Sequence, residues 1–116
     1  MLIHSDDIEF YNQCKEYAFR LSDSIQGGLK DFEPKRRPSP GGAEGLCYTD
    51  EKRISIVFRF KNAHYDGGKW FNKPLRRYEV LETVAHEVAH LIHNNHGPAF
   101  KRLEKELITV INSFEN

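Results

Sequence analysis

The chain has 116 residues, the length of a single domain. Hydrophobic residues make up 39% of it and charged residues 29%, which allows one modest core under a polar surface and excludes a wholly disordered chain. Lys and Arg together number 17, as do Asp and Glu, so no strong overall field draws the chain to nucleic acid or to an anionic membrane.

The N-terminal sequence and the cysteines suggest a location. Asp6 and Asp7 follow before an apolar stretch of signal-peptide length develops, and no run of the roughly 18 apolar residues of a membrane helix occurs. We therefore expect neither export nor a membrane span. Cys14 and Cys47 are too few for a disulfide framework or a four-cysteine zinc site, so we expect free thiols and a cytoplasmic protein.

In chain order, the first predicted element is an amphipathic helix from Asp6 to about Ser24. Its apolar residues recur at steps of three and four, and Asp6 or Ser5 could cap it. Gly27-Gly28 ends this pattern. The stretch that follows, up to Gly45, is rich in Gly and Pro and is predicted to be a long surface loop containing the basic run Lys35-Arg36-Arg37.

Two strands are predicted next, over residues 45–49 and 54–60. In the second strand, alternate positions carry Ile or Phe while Ser55 points the other way, a pattern typical of a half-buried hairpin. Residues 61–73 are predicted to form a second loop. Pro74 suits the first turn of the helix that follows.

Two further helices complete the prediction. From about Leu75 to His93, apolar residues keep helical spacing and would pack one side of the helix against the sheet. Asn94-Asn95 and Gly97-Pro98 interrupt the pattern before a last amphipathic helix that extends to about Phe114. The predicted fold class is α+β: one domain over residues 1–116, with a small antiparallel sheet packed on the second helix and helices at both ends.

The second predicted helix carries an HExxH sequence formed by His86, Glu87 and His90. Histidines four residues apart lie about 40° apart around a helix and roughly 6 Å apart along it, so their imidazoles can converge on one ion. Glu87 lies beside the line that joins them. From there its carboxylate can reach a metal-bound water without ligating the metal, as a general base for hydrolysis must.

A third protein ligand is expected, because catalytic zinc usually has three and keeps one position for water. His96 is the favoured residue. On a continuing helix it would lie about 240° around the axis from His90 and roughly 9 Å further along, pointing away. The chain must therefore turn back, and Asn94, Asn95 and Gly97 are residue types that accept the positive φ of such a turn.

Other residues compete with His96 for this role. His93 returns to the face of His86, but on a straight helix it would stand roughly 10 Å further along the axis, too far to share an ion. A role outside the ligand set is expected for it. Glu104 or Glu106 on the last helix is the alternative third ligand, because some HExxH enzymes take a distant glutamate.

The segment from Thr83 to Phe100 resembles the active-site segment of the SprT/Spartan-like and WLM zinc metallopeptidases and of the small bacterial YgjP-type proteins. These share HExxH, a third histidine six residues after the second, and a phenylalanine four residues beyond that. The likeness extends over about Gly45 to Leu107, with a similar hairpin before the helix. It implies a compact zincin-like peptidase domain, in several branches one that acts on proteins bound or crosslinked to DNA. It also implies zinc (Zn2+) held by His86, His90 and His96, with Glu87 as general base.

A second cluster, just before the active-site helix, interleaves aromatic and basic residues. Its members are Lys69, Trp70, Phe71, Lys73, Arg76 and Arg77. Aromatic rings stack on bases and cations bind phosphates, so the cluster predicts a weak contact with single-stranded DNA. The alternative, which we favour, is that the aromatic rings pack under the start of the helix while the cations stay in solvent.

The leading hypothesis is a zinc-dependent metallopeptidase that hydrolyses a protein or peptide substrate. A metallohydrolase acting on a phosphoester or nucleotide is an alternative, since an activated water can also attack phosphorus. A metal-binding interaction module without turnover is another. Tyr48, His64 and Tyr78 remain open as donors to the oxyanion, and the sheet edge beside the helix could align an extended substrate by strand addition.

Overall fold

The computed structural model describes residue 3 and residues 5–35, 44–66 and 69–116, with the backbone alone in 59–66 and 69–74. The described elements are α1 (Ile8–Ser24), β1 (Asp31–Lys35), β2 (Gly45–Tyr48), β3 (Arg53–Val57), β4 (Arg59–Asp66), β5 (Lys69–Pro74), α2 (Arg77–Ala89) and α3 (Pro98–Ser113). The predicted α+β class is confirmed. Among the described residues, no helix combines the length and apolar composition that a membrane span requires.

Helix α1 follows the predicted periodicity and buries one face. Cys14, Ala18 and Leu21 are fully buried on that face. Tyr11 is also buried, and its hydroxyl donates a hydrogen bond to the carbonyl oxygen of Phe32 at 2.8 Å, so the helix is tied to β1 by a satisfied polar group. The α-helix begins slightly later than predicted, because Ser5–Asp7 forms a 3-10 turn that includes the expected cap residue.

The main sheet has three strands in the order β1-β3-β2. β2 and β3 form the predicted antiparallel hairpin, with Gly45 opposite Ile56. β1 pairs with β3 in parallel, so the sheet is mixed and the prediction of an antiparallel sheet is wrong. The prediction of one long loop up to Gly45 is also wrong, because β1 forms within it. β1 is not predictable from its own sequence, because charged residues and a proline such as Pro34 are uncommon in strands. Proline is tolerated here because β1 is an edge strand.

Strand β3 is more deeply buried than a half-buried hairpin strand. Every residue from Ile54 to Val57 is buried, including Ser55, which is 5% exposed. The prediction of a half-buried hairpin strand is therefore wrong for β3, which is buried on both faces. β3 is the central strand of the sheet, and the Ser55 hydroxyl donates to a carboxylate oxygen of Glu33 on β1 at 3.1 Å, which satisfies it without water.

Residues predicted as the second loop form a separate two-stranded sheet. β4 and β5 pair antiparallel, with Arg59 opposite Pro74, and the register is irregular between Lys61 and Tyr65. Polar residues dominate this segment and hide the strand signal. Pro74 ends β5 and does not begin the next helix, which starts at Arg77. The predicted turn residues Gly67 and Gly68 lie outside the described residues.

Helix α2 lies at the centre of the hydrophobic core. It packs against α1, α3, β2 and β3, and its buried apolar face is the predicted one. The core combines residues of the helices and the sheet: Leu21, Ile54, Ile56, Val80, Leu81, Val84, Ala85, Val88, Phe100, Leu107 and Ile111. The α-helix ends at Ala89, before the predicted end at His93, and this early ending positions the residues of the site described next.

Candidate metal centre

Three histidines meet where α2 ends. His86 lies in the last turn of α2, His90 caps it, and His96 follows just before α3. The Nε2 atom of His90 lies 3.2 Å from Nε2 of His86 and 3.1 Å from Nε2 of His96. All three are close enough to bind one metal ion, their ligand atoms lying within 4.8 Å of one another. The expectation that the chain turns His96 back toward the other two is confirmed.

The turn is made differently from the prediction. Positive φ among the described non-glycine residues occurs only at Gln26 and Lys52, so Asn94 and Asn95 do not provide it, and Gly97 has φ of −72°. Instead, the side-chain oxygen of Asn95 accepts a hydrogen bond from the backbone N–H of Gly97 at 2.9 Å. A Cβ at Gly97 would lie 2.9 Å from that oxygen, so a glycine fits there because of the close approach.

Hydrogen bonds on the far side of the rings orient two imidazoles. Nδ1 of His90 lies 2.9 Å from the carbonyl oxygen of His93, which can only accept, so Nδ1 carries the proton and Nε2 keeps a lone pair. Nδ1 of His86 is hydrogen-bonded to the carboxylate of Glu104, which imposes the same tautomer. Burial lowers the pKa of His90, which favours its neutral, ligating form.

These contacts also place the competing residues. His93 contributes its backbone carbonyl to His90 and lies outside the triad, as expected. Glu104 is hydrogen-bonded to Nδ1 of His86, on the side of the ring away from the point where the three Nε2 atoms converge. Glu106 is exposed on α3. The described side chains that converge are the three histidines, and neither glutamate is among them.

Phe100 supports all three imidazole rings. It is 1% exposed, and its ring is stacked on that of His90 with centroids 4.4 Å apart. It meets the rings of His86 and His96 edge to face, each at 5.0 Å. The sequence motif includes Phe100, but helical spacing alone predicts only that it is buried in the core. Its contact with the three imidazole rings forms only when α3 packs against α2.

Glu87 is buried beside the triad. Its side chain is 6% exposed and makes no hydrogen bond to another described residue. Burial raises the pKa of its carboxyl to about 7, while His86 lowers it and Glu104 raises it. The sequence does not predict that Gly45 of β2 packs against this side chain. A Cβ at Gly45 would lie 3.1 Å from Oε2 of Glu87 and 2.8 Å from Cγ2 of Thr83.

An open cleft of about 500 Å³ adjoins His86 and Glu87. Its lining consists of Glu44, Gly45, Glu79, Glu82, Thr83, His86, Glu87, Glu104 and Ile108. Tyr48 and Tyr78, two proposed oxyanion donors, are exposed and are not among these described lining residues. The side chain of His64, the third, lies outside the described part of the chain. The cleft gives His86 and Glu87 an opening to solvent.

The aromatic and basic cluster can be placed only in part. The side chains of Lys69, Trp70, Phe71 and Lys73 lie outside the described residues, as do Arg36 and Arg37 of the predicted loop. Arg77 is ion-paired with Glu115, with one bond of 2.9 Å, and its guanidinium lies 4.4 Å from the ring centroid of Phe10. Arg76 is exposed, 4.0 Å from Glu79. The predicted contact with single-stranded DNA stays a prediction.

Comparison with known proteins gives no independent assignment. No protein-family model matches the chain, and no curated protein or solved structure matches it. The resemblance to the SprT, WLM and YgjP-type peptidases thus rests on the motif residues between Thr83 and Phe100. The functional conclusion has to rest on the geometry around His86, His90 and His96.

Proposed function

We propose that the chain is a zinc-dependent metallopeptidase in which His86, His90 and His96 hold the ion and Glu87 is the general base. The observation that carries the proposal is the convergence of three Nε2 atoms. Around a tetrahedral zinc ion with Zn–N distances of about 2.0–2.1 Å, ligating nitrogens lie about 3.3 Å apart. The separations of 3.1 and 3.2 Å between His90 and its two neighbours fit this spacing.

The hydrogen bonds around the triad support a cation at its centre. With Nδ1 of His86 and His90 donating outward, their Nε2 lone pairs face each other 3.2 Å apart, which is repulsive unless a proton or a metal ion lies between them. Three imidazoles are a donor set that suits zinc. The outward bonds to Glu104 and to the carbonyl of His93 are the usual partners of metal-ligating histidines.

Zinc bound there would supply Lewis-acid chemistry, lowering the pKa of a water and polarising a substrate carbonyl. Glu87 is free to accept a proton, because no other described residue hydrogen-bonds its carboxylate. It takes the proton from the attacking water and later gives it to the leaving amine. β2 is an edge strand whose Gly45 lines the cleft, so an extended peptide added to this edge would run past Glu87.

The charge of the cleft favours a peptide over a phosphoester. Five of its lining residues are glutamates and none of the described ones is Lys or Arg. A phosphate group would be repelled there, whereas a peptide carbonyl carries no net charge. An interaction module without turnover is disfavoured as well, because a purely binding function would not require the buried carboxylate of Glu87 beside the histidines. The cytoplasmic location remains part of the proposal, in keeping with the two free cysteines.

The test compares zinc content and casein hydrolysis for the wild type, Glu87→Gln and a control, Glu106→Gln. We expect all three proteins to bind one zinc ion per chain and only Glu87→Gln to lose hydrolysis, by about 100-fold or more, since removing a general base costs about 10²–10⁴ in rate. Glu106 is exposed and outside the cleft, so its change controls for lost charge. A folded, zinc-loaded wild type that cleaves no peptide bond would contradict the proposal.

A further inference from the structure

The cleft beside the triad is lined by carboxylates from three separate parts of the fold. Glu79 and Glu82 come from α2, Glu44 precedes β2, and Glu104 comes from α3. Glu104 is engaged by His86, which leaves the other three facing the open part of the cleft. Because these residues are distant in sequence, the fold alone gathers their charge at one place.

This charge is only weakly neutralised by the described residues. Among the described residues, Arg76 pairs with one of these carboxylates, but its side chain is 76% exposed and its Nε lies 4.0 Å from Glu79, the outer limit of an ion pair. Glu44 and Glu82 form no ion pair with a described residue. The pKa of Glu44 is raised by burial and then by the charge of Glu79, so these two carboxylates are close enough to repel each other.

A second observation concerns the inner end of the cleft. Glu87 lines it and is more than nine-tenths buried, yet no other described residue donates a hydrogen bond to its carboxylate. Thr83 and Ile108 provide the less polar part of the wall. The cleft therefore combines carboxylates at its opening with apolar contacts suited to the methylene stem of a long cationic side chain.

We propose that this cleft is a substrate subsite for a lysine or arginine side chain close to the cleaved bond. The inference rests on the proposed peptidase function and adds the substrate class. A cationic side chain would relieve the repulsion between Glu44 and Glu79 and reach Glu82, while its stem packs on Ile108 and Thr83. An acidic side chain at the same position would be repelled.

The experiment uses zinc-loaded full-length protein and matched peptides. Cleavage sites in casein, read by mass spectrometry, define an internally quenched peptide in which one position near the cleaved bond carries Lys, its uncharged analogue norleucine, or Glu. We expect the wild type to prefer Lys over norleucine by about tenfold in kcat/KM, the size of one or two partly exposed charge pairs. We expect Glu to be the poorest, and the preference to weaken at high ionic strength.

The variant Glu79→Gln/Glu82→Gln should reduce this preference to about twofold or less, since it removes the charges at the opening. Glu106→Gln, which removes one exposed carboxylate outside the cleft, should leave it unchanged. Equal cleavage of the Lys and norleucine peptides by the wild type would overturn the inference, and so would a preference that survives in the double variant.

A binding measurement separates this inference from the proposed function. Fluorescence anisotropy is measured with the wild type and with Glu79→Gln/Glu82→Gln, using a labelled alanine-rich peptide that carries Lys or norleucine at its central position and whose design requires no known cleavage site. Tighter binding of the Lys peptide, lost in the double variant, would support the subsite even if no peptide were cleaved. Equal binding of both peptides would overturn the subsite, whereas cleavage without charge preference would leave the peptidase proposal intact.

Discussion

His93 acts on the site through its backbone. Its carbonyl oxygen accepts the hydrogen bond from Nδ1 of His90, whereas its imidazole lies outside the triad. His96 is more exposed than His86 and His90, yet its Nε2 lies 3.1 Å from that of His90. Two histidines three residues apart in sequence therefore have different tasks, and side-chain deletion distinguishes them.

His96→Ala should weaken zinc binding far more than His93→Ala. The first removes one of three ligands and should cost at least about 100-fold in affinity, above the usual 10–100-fold for an outer partner. The second keeps the carbonyl that orients His90 and should change affinity by no more than about threefold. Competition with a chromophoric chelator measures both. Equal losses would contradict the ligand assignment.

Glu104→Ala should lower zinc affinity by about 10–100-fold, because Nδ1 of His86 loses the acceptor that fixes its tautomer. Glu106→Ala, on the same helix and exposed, is the matched control and should have no effect. Affinities come from the same chelator competition, with circular dichroism to check folding. If both variants bound zinc like the wild type, Glu104 would have no orienting role.

At the scale of elements, the packing of β2 on α2 determines the position of the Glu87 side chain. Gly45 approaches Glu87 and Thr83 so closely that a Cβ at this position would force one of their side chains to shift. The short segment between α2 and α3 has a matching role at the other end of the site, since it supplies both the carbonyl of His93 and the imidazole of His96.

Gly45→Ala should reduce peptide hydrolysis by about tenfold or more while zinc content is retained, because displacing a catalytic group by about 1 Å can cost about 100-fold. The double variant Gly45→Ala/Thr83→Ala removes the contact at 2.8 Å with Thr83 but not the one with Glu87. It should regain stability without regaining activity. Full activity in either variant would show that Glu87 tolerates displacement.

The sequence predicts the helices and the triad better than it predicts the strands. Helical spacing of buried residues identified α1, α2 and α3, and the HExxH pattern with its later histidine identified the three histidines that the fold brings together. β1 was missed because its sheet partners, and not its own composition, make Pro34 part of a strand. The roles of Gly45 and Glu104 were missed because each depends on a contact between elements far apart in the chain.

At the scale of the whole molecule, the C-terminal end of the chain is tied back to α1 and α2. The hydroxyl of Tyr17 donates to Oε2 of Glu115 at 2.7 Å, and Arg77 donates to the same oxygen at 2.9 Å. The ring of Phe114 packs on Tyr17 with centroids 5.1 Å apart. These contacts join both ends of the fold around the helix that carries the histidines.

The free energy of unfolding should decrease at acidic pH, partly because Glu115 becomes protonated. Arg77 and Tyr17 lower the pKa of its carboxyl, so its contribution is present above the unfolded-state value and is lost as pH falls through the lower folded-state value. Glu115→Gln should remove this part of the acid sensitivity, worth at most about 1 kcal/mol for an exposed pair. Urea unfolding at several pH values measures it, with Glu106→Gln as control. Identical acid profiles for the wild type and Glu115→Gln would contradict this expectation.

The ring of Phe100 belongs both to the hydrophobic core and to the triad. The hydrophobic core and the three imidazoles therefore share one side chain. A mutation that loosens the packing of α3 against α2 should consequently also disturb the spacing of the imidazoles, even when it lies far from them in the sequence.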